Sequence, residues 1–100
     1  MSKSPSDDSK FPALREFLRG YFHEDLAGQY GSPKDAARQF AQDADVTQRH
    51  NVAEELLRFM HENRHRPLPQ INELLRALGS AWNFDSPSDL EEIEHILRHH

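Results

Sequence analysis

The sequence predicts an all-α fold: a single compact bundle of about five short helices behind a disordered N-terminal tail. Three observations lead there. Apolar residues recur at i, i+3, i+4 and i+7 in one stretch after another, the period of a helix with one buried face. A helix-start pattern occurs twice, as Ser32-Pro33-Lys34-Asp35 and as Ser86-Pro87-Ser88-Asp89. The links between the periodic stretches are short and polar, which suits helices packed as neighbours.

Residues 1–10 hold only Met1 as an apolar side chain, so they cannot repay their ordering entropy and read as a disordered tail. The helical domain spans residues 11–100. Phe11, Leu14, Phe17, Leu18, Tyr21 and Phe22 mark the first helix, with Arg15, Glu16 and Arg19 outward. Pro12 fits its first turn. Gly20 weakens its end by about 1 kcal/mol, and the helix is expected to fray or bend near Gly20-Tyr21. Residues 25–31 read as a turn-like segment.

Ser32 then caps a second helix, with Pro33 at its first position and Asp35 near the positive end of the dipole. Ala36, Ala37, Phe40 and Ala44 form its narrow apolar stripe. Asp45 or Thr47 caps the longest helix, over residues 47–64. Its inner face is Val52, Leu56, Phe59 and Met60 with Leu57 beside them, and its outer face includes Glu54, Glu55 and Arg58. Arg66-Pro67-Leu68-Pro69 stops it, because a residue before proline is pushed out of the α region. Pro69 opens the next helix, with Ile71, Leu74, Leu75 and Leu78 inward and Gly79 as terminator. Residues 81–85 are an aromatic connector. Leu90, Ile93, Ile96 and Leu97 give the last stripe.

Composition removes several function classes. No cysteine is present, so disulfides, thiolate zinc sites and cysteine nucleophiles are excluded. No apolar stretch reads as a signal peptide or as a bilayer span. Leu, Ile, Val and Phe make up 22 of the 100 residues, just above the level of about 20% below which disorder prevails. The net charge of −5 disfavours direct binding of nucleic acid.

Candidate chemistry is sparse. His61-Glu62-Asn63-Arg64-His65 matches the H-E-x-x-H zinc motif letter for letter. It falls in the last turn before a proline, beside two arginines, and its His61 and Glu62 face outward. A solvated helix end explains it better than a metal centre. His95 and His99, also four apart, read as surface histidines. His23-Glu24-Asp25 has no nucleophile or oxyanion donor nearby. The four glycines form no phosphate loop. No catalytic residue, metal ligand or cofactor is assigned.

The charge distribution is more informative. Residues 23–45 sum to −3, residues 80–100 to −4, and the rest to +2. Two acidic stretches therefore suit a surface facing a basic partner, where complementary charge steers association and fixes orientation.

Residues 11–25, FPALREFLRGYFHED, followed by Tyr30-Gly31-Ser32-Pro33 and Phe40, resemble the immunity-protein family of contact-dependent growth inhibition systems. That family's opening reads approximately F-P-x-L-x-x-F-x-x-x-Y-F-H-x-D, then Y-G-S-P. Leu78-Gly79 and Trp82-Asn83-Phe84-Asp85-Ser86-Pro87 match its later region, with Ser86 as an extra residue between Asp and Pro. The resemblance implies a cytoplasmic bacterial protein without enzymatic activity. Its partner would be the C-terminal toxin domain of a cognate effector, bound 1:1, with no nucleic acid or membrane partner. Such toxins are often nucleases, some acting on tRNA, and a nuclease surface is basic because it holds phosphate. The signature residues are mostly apolar or capping types and read as scaffold. Toxin contacts are therefore expected at exposed charges: Glu24, Asp43, Asp45, Asp85, Asp89, Glu91 and Glu92, with Trp82 as an anchor. The alternatives are an acidic helical adaptor and, more remotely, a zinc hydrolase using His61, Glu62 and His65.

Overall fold

The computed structural model describes residues 10–99. Of the expected tail, all but Lys10 lies outside the described residues. Among the described residues six helices follow in order: α1 (Pro12–Tyr21), α2 (Leu26–Gln29), α3 (Pro33–Asp43), α4 (Val46–Asn63), α5 (Leu68–Leu78) and α6 (Pro87–His99). No strand occurs among the described residues. The expected all-α bundle is therefore present. The segment read as turn-like contains one extra helical turn, α2, which buries Leu26.

The core forms where the apolar stripes meet. α6 packs along both α3 and α4, and α1 packs on α4. Leu14, Phe17 and Leu18 of α1 are buried together with Leu56 and Phe59 of α4, Leu75 of α5, and Leu90, Ile93 and Leu97 of α6. Phe17 is the centre of an aromatic group, with ring centroids 5.1 Å from Phe22 and 4.8 Å from Phe40. Such contacts add about 0.5–1.5 kcal/mol each beyond area burial. The small residues Ala36, Ala37 and Ala41 are buried on α3 and let its neighbours approach closely.

Helix ends follow capping chemistry. Ser32 Oγ accepts from Asp35 N at 3.2 Å. Asp45 caps α4 in a reciprocal box: its carboxylate accepts from Gln48 N at 2.8 Å, and Gln48 Oε1 accepts from Asp45 N at 3.1 Å. Gly79 ends α5 at φ +123°, where a Cβ would lie 2.3 Å from Arg19 Cγ. Only glycine fits both the backbone and that side chain.

α1 ends at Tyr21, within the weak Gly20-Tyr21 stretch, and Phe22 is its C-cap residue. Several local expectations need correction. Ala41, not Ala44, completes the α3 stripe; Ala44 is already the extended C-cap residue. Leu57 and Leu74 are 46% and 36% exposed, since each sits at the edge of its helix's buried face. Glu55 is not on an outer face. α1 has no side-chain cap of its own, and Glu55 Oε1 of α4 accepts from Leu14 N at 2.8 Å. A carboxylate thereby satisfies an orphan amide at the positive end of another helix.

Candidate functional site

The two acidic stretches are neighbours in space, because α3 and α6 pack side by side. Lys34 at the start of α3 lies 3.5 Å from Glu92 Oε1 in the middle of α6. Arg49 of α4 donates to Leu97 O at 3.3 Å, which brings the α3–α4 joint beside the end of α6. Arg98 pairs with Glu94 on its own helix and lies 3.6 Å from Glu54 of α4. The hydrogen bond that Arg98 donates to Glu94 is the largest of the effects holding its guanidinium above its ordinary pKa.

The carboxylates of the first acidic stretch are largely engaged by the fold. Tyr21 OH donates to Asp43 Oδ2 at 2.7 Å, and Gln39 donates to Oδ1 of the same residue at 3.0 Å. Asp45 is the cap of α4. Asp35 pairs with Arg38 at 2.9 Å. Burial, followed by the hydrogen bond and the negative charge of Asp43, pushes the Tyr21 phenol up to about 12. Glu24 stands apart: it is exposed in the α1–α2 link and borders a shallow depression with Asp25, Gly79 and Ala81.

The second stretch is presented differently. Asp85 is exposed in the connector, Asp89 is half-buried in the first turn of α6, and Glu91 and Glu92 are exposed on that helix. The connector that carries Asp85 is fastened at several points. Ala81 N donates to Phe22 O at 2.7 Å. The Asn72 amide of α5 bonds both backbone groups of Phe84, accepting from its N–H at 2.8 Å and donating to its C=O at 3.0 Å. Ser80 Oγ bridges the Trp82 backbone N–H and C=O, each at 3.1 Å. Arg76 donates to Asn83 Oδ1 at 2.6 Å. Phe84 is buried against Phe22, and Trp82 is half-buried against the core.

Of the eight residues expected to meet a partner, the structure groups Asp85, Asp89, Glu91 and Glu92 on the connector and α6. Asp43 and Asp45 lie at the α3–α4 joint, while Glu24 faces the opposite end of the connector. Sequence reading missed Asn72, because an amide that fastens a loop twelve residues away leaves no local signature.

The H-E-x-x-H segment is not arranged as a metal centre. α4 ends at Asn63, so His65 lies beyond the helix that would set it one turn from His61. Glu62 pairs with Lys10 at 2.8 Å. Among the described residues, no group of three or more His, Asp or Glu side chains is placed to hold a metal ion. Among the described residues, no helix is long and apolar enough to cross a membrane.

A family model described as CdiI immunity protein matches residues 10–81. No match is found among curated proteins or among solved structures.

Proposed function

This chain belongs to the CdiI immunity protein family, and from that membership we propose that it blocks its toxin through the acidic face built from α6 and the connector before it. Immunity proteins of this family are inhibitors that bind toxins and are not enzymes; neutralising a contact-dependent growth inhibition toxin is the function of this chain. The finer reading concerns the toxin and the surface. The toxin domain is a nuclease, with tRNA as a candidate substrate, and presents a basic surface made to hold phosphate. The inhibitor offers carboxylates in place of phosphates and acts in the cytoplasm of the target cell, in a 1:1 complex.

The single observation that carries this reading is the arrangement of Asp85, Asp89, Glu91 and Glu92 on a connector and helix fastened to the core. A fastened backbone loses little loop entropy on binding, so more of the interaction energy appears as affinity. Trp82 supplies an apolar contact at the edge of this face. Asp43 and Asp45 at the α3–α4 joint add peripheral charge, and Glu24 lies at the far end of the connector. Protection against a delivered enzyme needs a sub-nanomolar Kd, which corresponds to more than about 12 kcal/mol. An interface of about 1,600 Å² with a few dominant residues can supply that.

The test is co-purification with the protein encoded immediately upstream. The expected result is a stable 1:1 complex in which a nuclease activity of the free toxin domain is abolished. A complex with an unrelated cellular protein, and none with the toxin domain, would support the adaptor alternative instead.

A further inference from the structure

The sequence holds two histidine pairs four residues apart, and the structure separates them. His61 and His65 carry the zinc-motif lettering, but the end of α4 falls between them. His95 and His99 both lie within α6, with ring centroids 4.4 Å apart and planes inclined by 38°. Both are exposed. Residues four apart on a helix are surface neighbours, so the backbone itself holds the two imidazoles together.

We propose that His95 and His99 form a two-imidazole clip for a divalent transition-metal ion. Imidazole nitrogen suits borderline ions such as Zn²⁺, Ni²⁺ and Cu²⁺ and not Mg²⁺ or Ca²⁺. The surroundings favour a cation. Glu91 is exposed one turn before His95, and the positive charge of Arg98 between the histidines is countered by Glu94 and Glu54. The site supplies two protein ligands, and water fills the remaining positions. It is therefore open and exchangeable, unlike the closed four-ligand sites that hold a structural zinc.

Occupancy has a mechanical consequence. The last turn of a helix has carbonyls without intrahelical partners and frays readily. An ion bridging His95 and His99 spans that turn. The same turn contains Leu97 and Arg98, which join α6 to Arg49 and Glu54 of α4. Metal binding thus tightens the α4–α6 seam behind the acidic face.

The experiment titrates the chelator-treated full chain with Zn²⁺ and, separately, Ni²⁺. Stoichiometry is read by calorimetry and the thermal midpoint by circular dichroism. One ion per chain and a raised midpoint are expected, since a ligand that binds only the folded state stabilises it. His95→Ala and His99→Ala should each weaken binding by more than the about tenfold that loss of even an outer partner costs. Both variants should keep the helical spectrum, because the side chains are exposed. His61→Ala should bind as the parent does. Absence of binding, or binding unchanged in His95→Ala and His99→Ala, would overturn the proposal. So would a loss confined to His61→Ala.

Discussion

The two acidic stretches carry nearly the same charge, −3 over residues 23–45 and −4 over residues 80–100, but put it to different uses. In the first, Asp43 receives the Tyr21 phenol, Asp45 caps α4 and Asp35 pairs with Arg38. In the second, Asp85, Glu91 and Glu92 stand exposed, and of these Glu92 faces a single lysine across 3.5 Å. Charge segregation along a chain therefore does not by itself locate a binding surface. A carboxylate already hydrogen-bonded to its own fold has less to offer a partner and more to lose when replaced.

That contrast can be broken most forcefully by charge reversal. Asp85→Lys, Asp89→Lys and Glu92→Lys combined should weaken toxin binding by about 2–5 kcal/mol, with the helical circular dichroism unchanged. Undiminished protection by this triple variant would remove the α6 face from consideration. Asn72→Ala should cost about 1–3 kcal/mol of stability in denaturant titration, because it strands the Phe84 backbone groups. It should also reduce toxin affinity by freeing the connector, so loss of stability with full affinity would show that the connector is not read. Asp45→Ala sharpens the other side. It should cost about 1 kcal/mol of stability through the lost cap and leave affinity nearly unchanged.

The smallest effect concerns Tyr21. Its phenol is raised from 10.0 to about 12 in the folded protein, so the fold favours the protonated form. That stabilisation is fully present below pH 10, the unfolded value, and is lost as pH rises towards 12. Denaturant midpoints followed across this range should fall more steeply for the parent than for Tyr21→Phe.

The helices were legible because three local signals coincided: apolar period, capping residues and proline or glycine punctuation. Ser32-Pro33, Asp45 and Gly79 do locally what their types suggest. The misreadings arose where a distant element decided the outcome. Glu55 looks like an outward glutamate on its own helix, yet it is drawn to an uncapped amide of α1, 41 residues away. The acidity of the candidate site was readable from composition. Which carboxylates the fold engages was not, because that depends on Tyr21 meeting Asp43 across 22 residues. The H-E-x-x-H lettering misdirects for a simpler reason: a motif on a helix needs the helix to continue through it.

The central claim is electrostatic, and the most direct measurement is the association rate of the chain with its purified cognate toxin domain across a range of salt. Attraction between an acidic inhibitor face and a basic toxin surface predicts fast association that falls steeply as salt rises, because exposed charges are screened beyond about 8 Å at 0.15 M ionic strength. It also predicts a flatter dependence for the Asp85→Lys, Asp89→Lys, Glu92→Lys variant. An association rate that does not change with salt in the parent chain would contradict it.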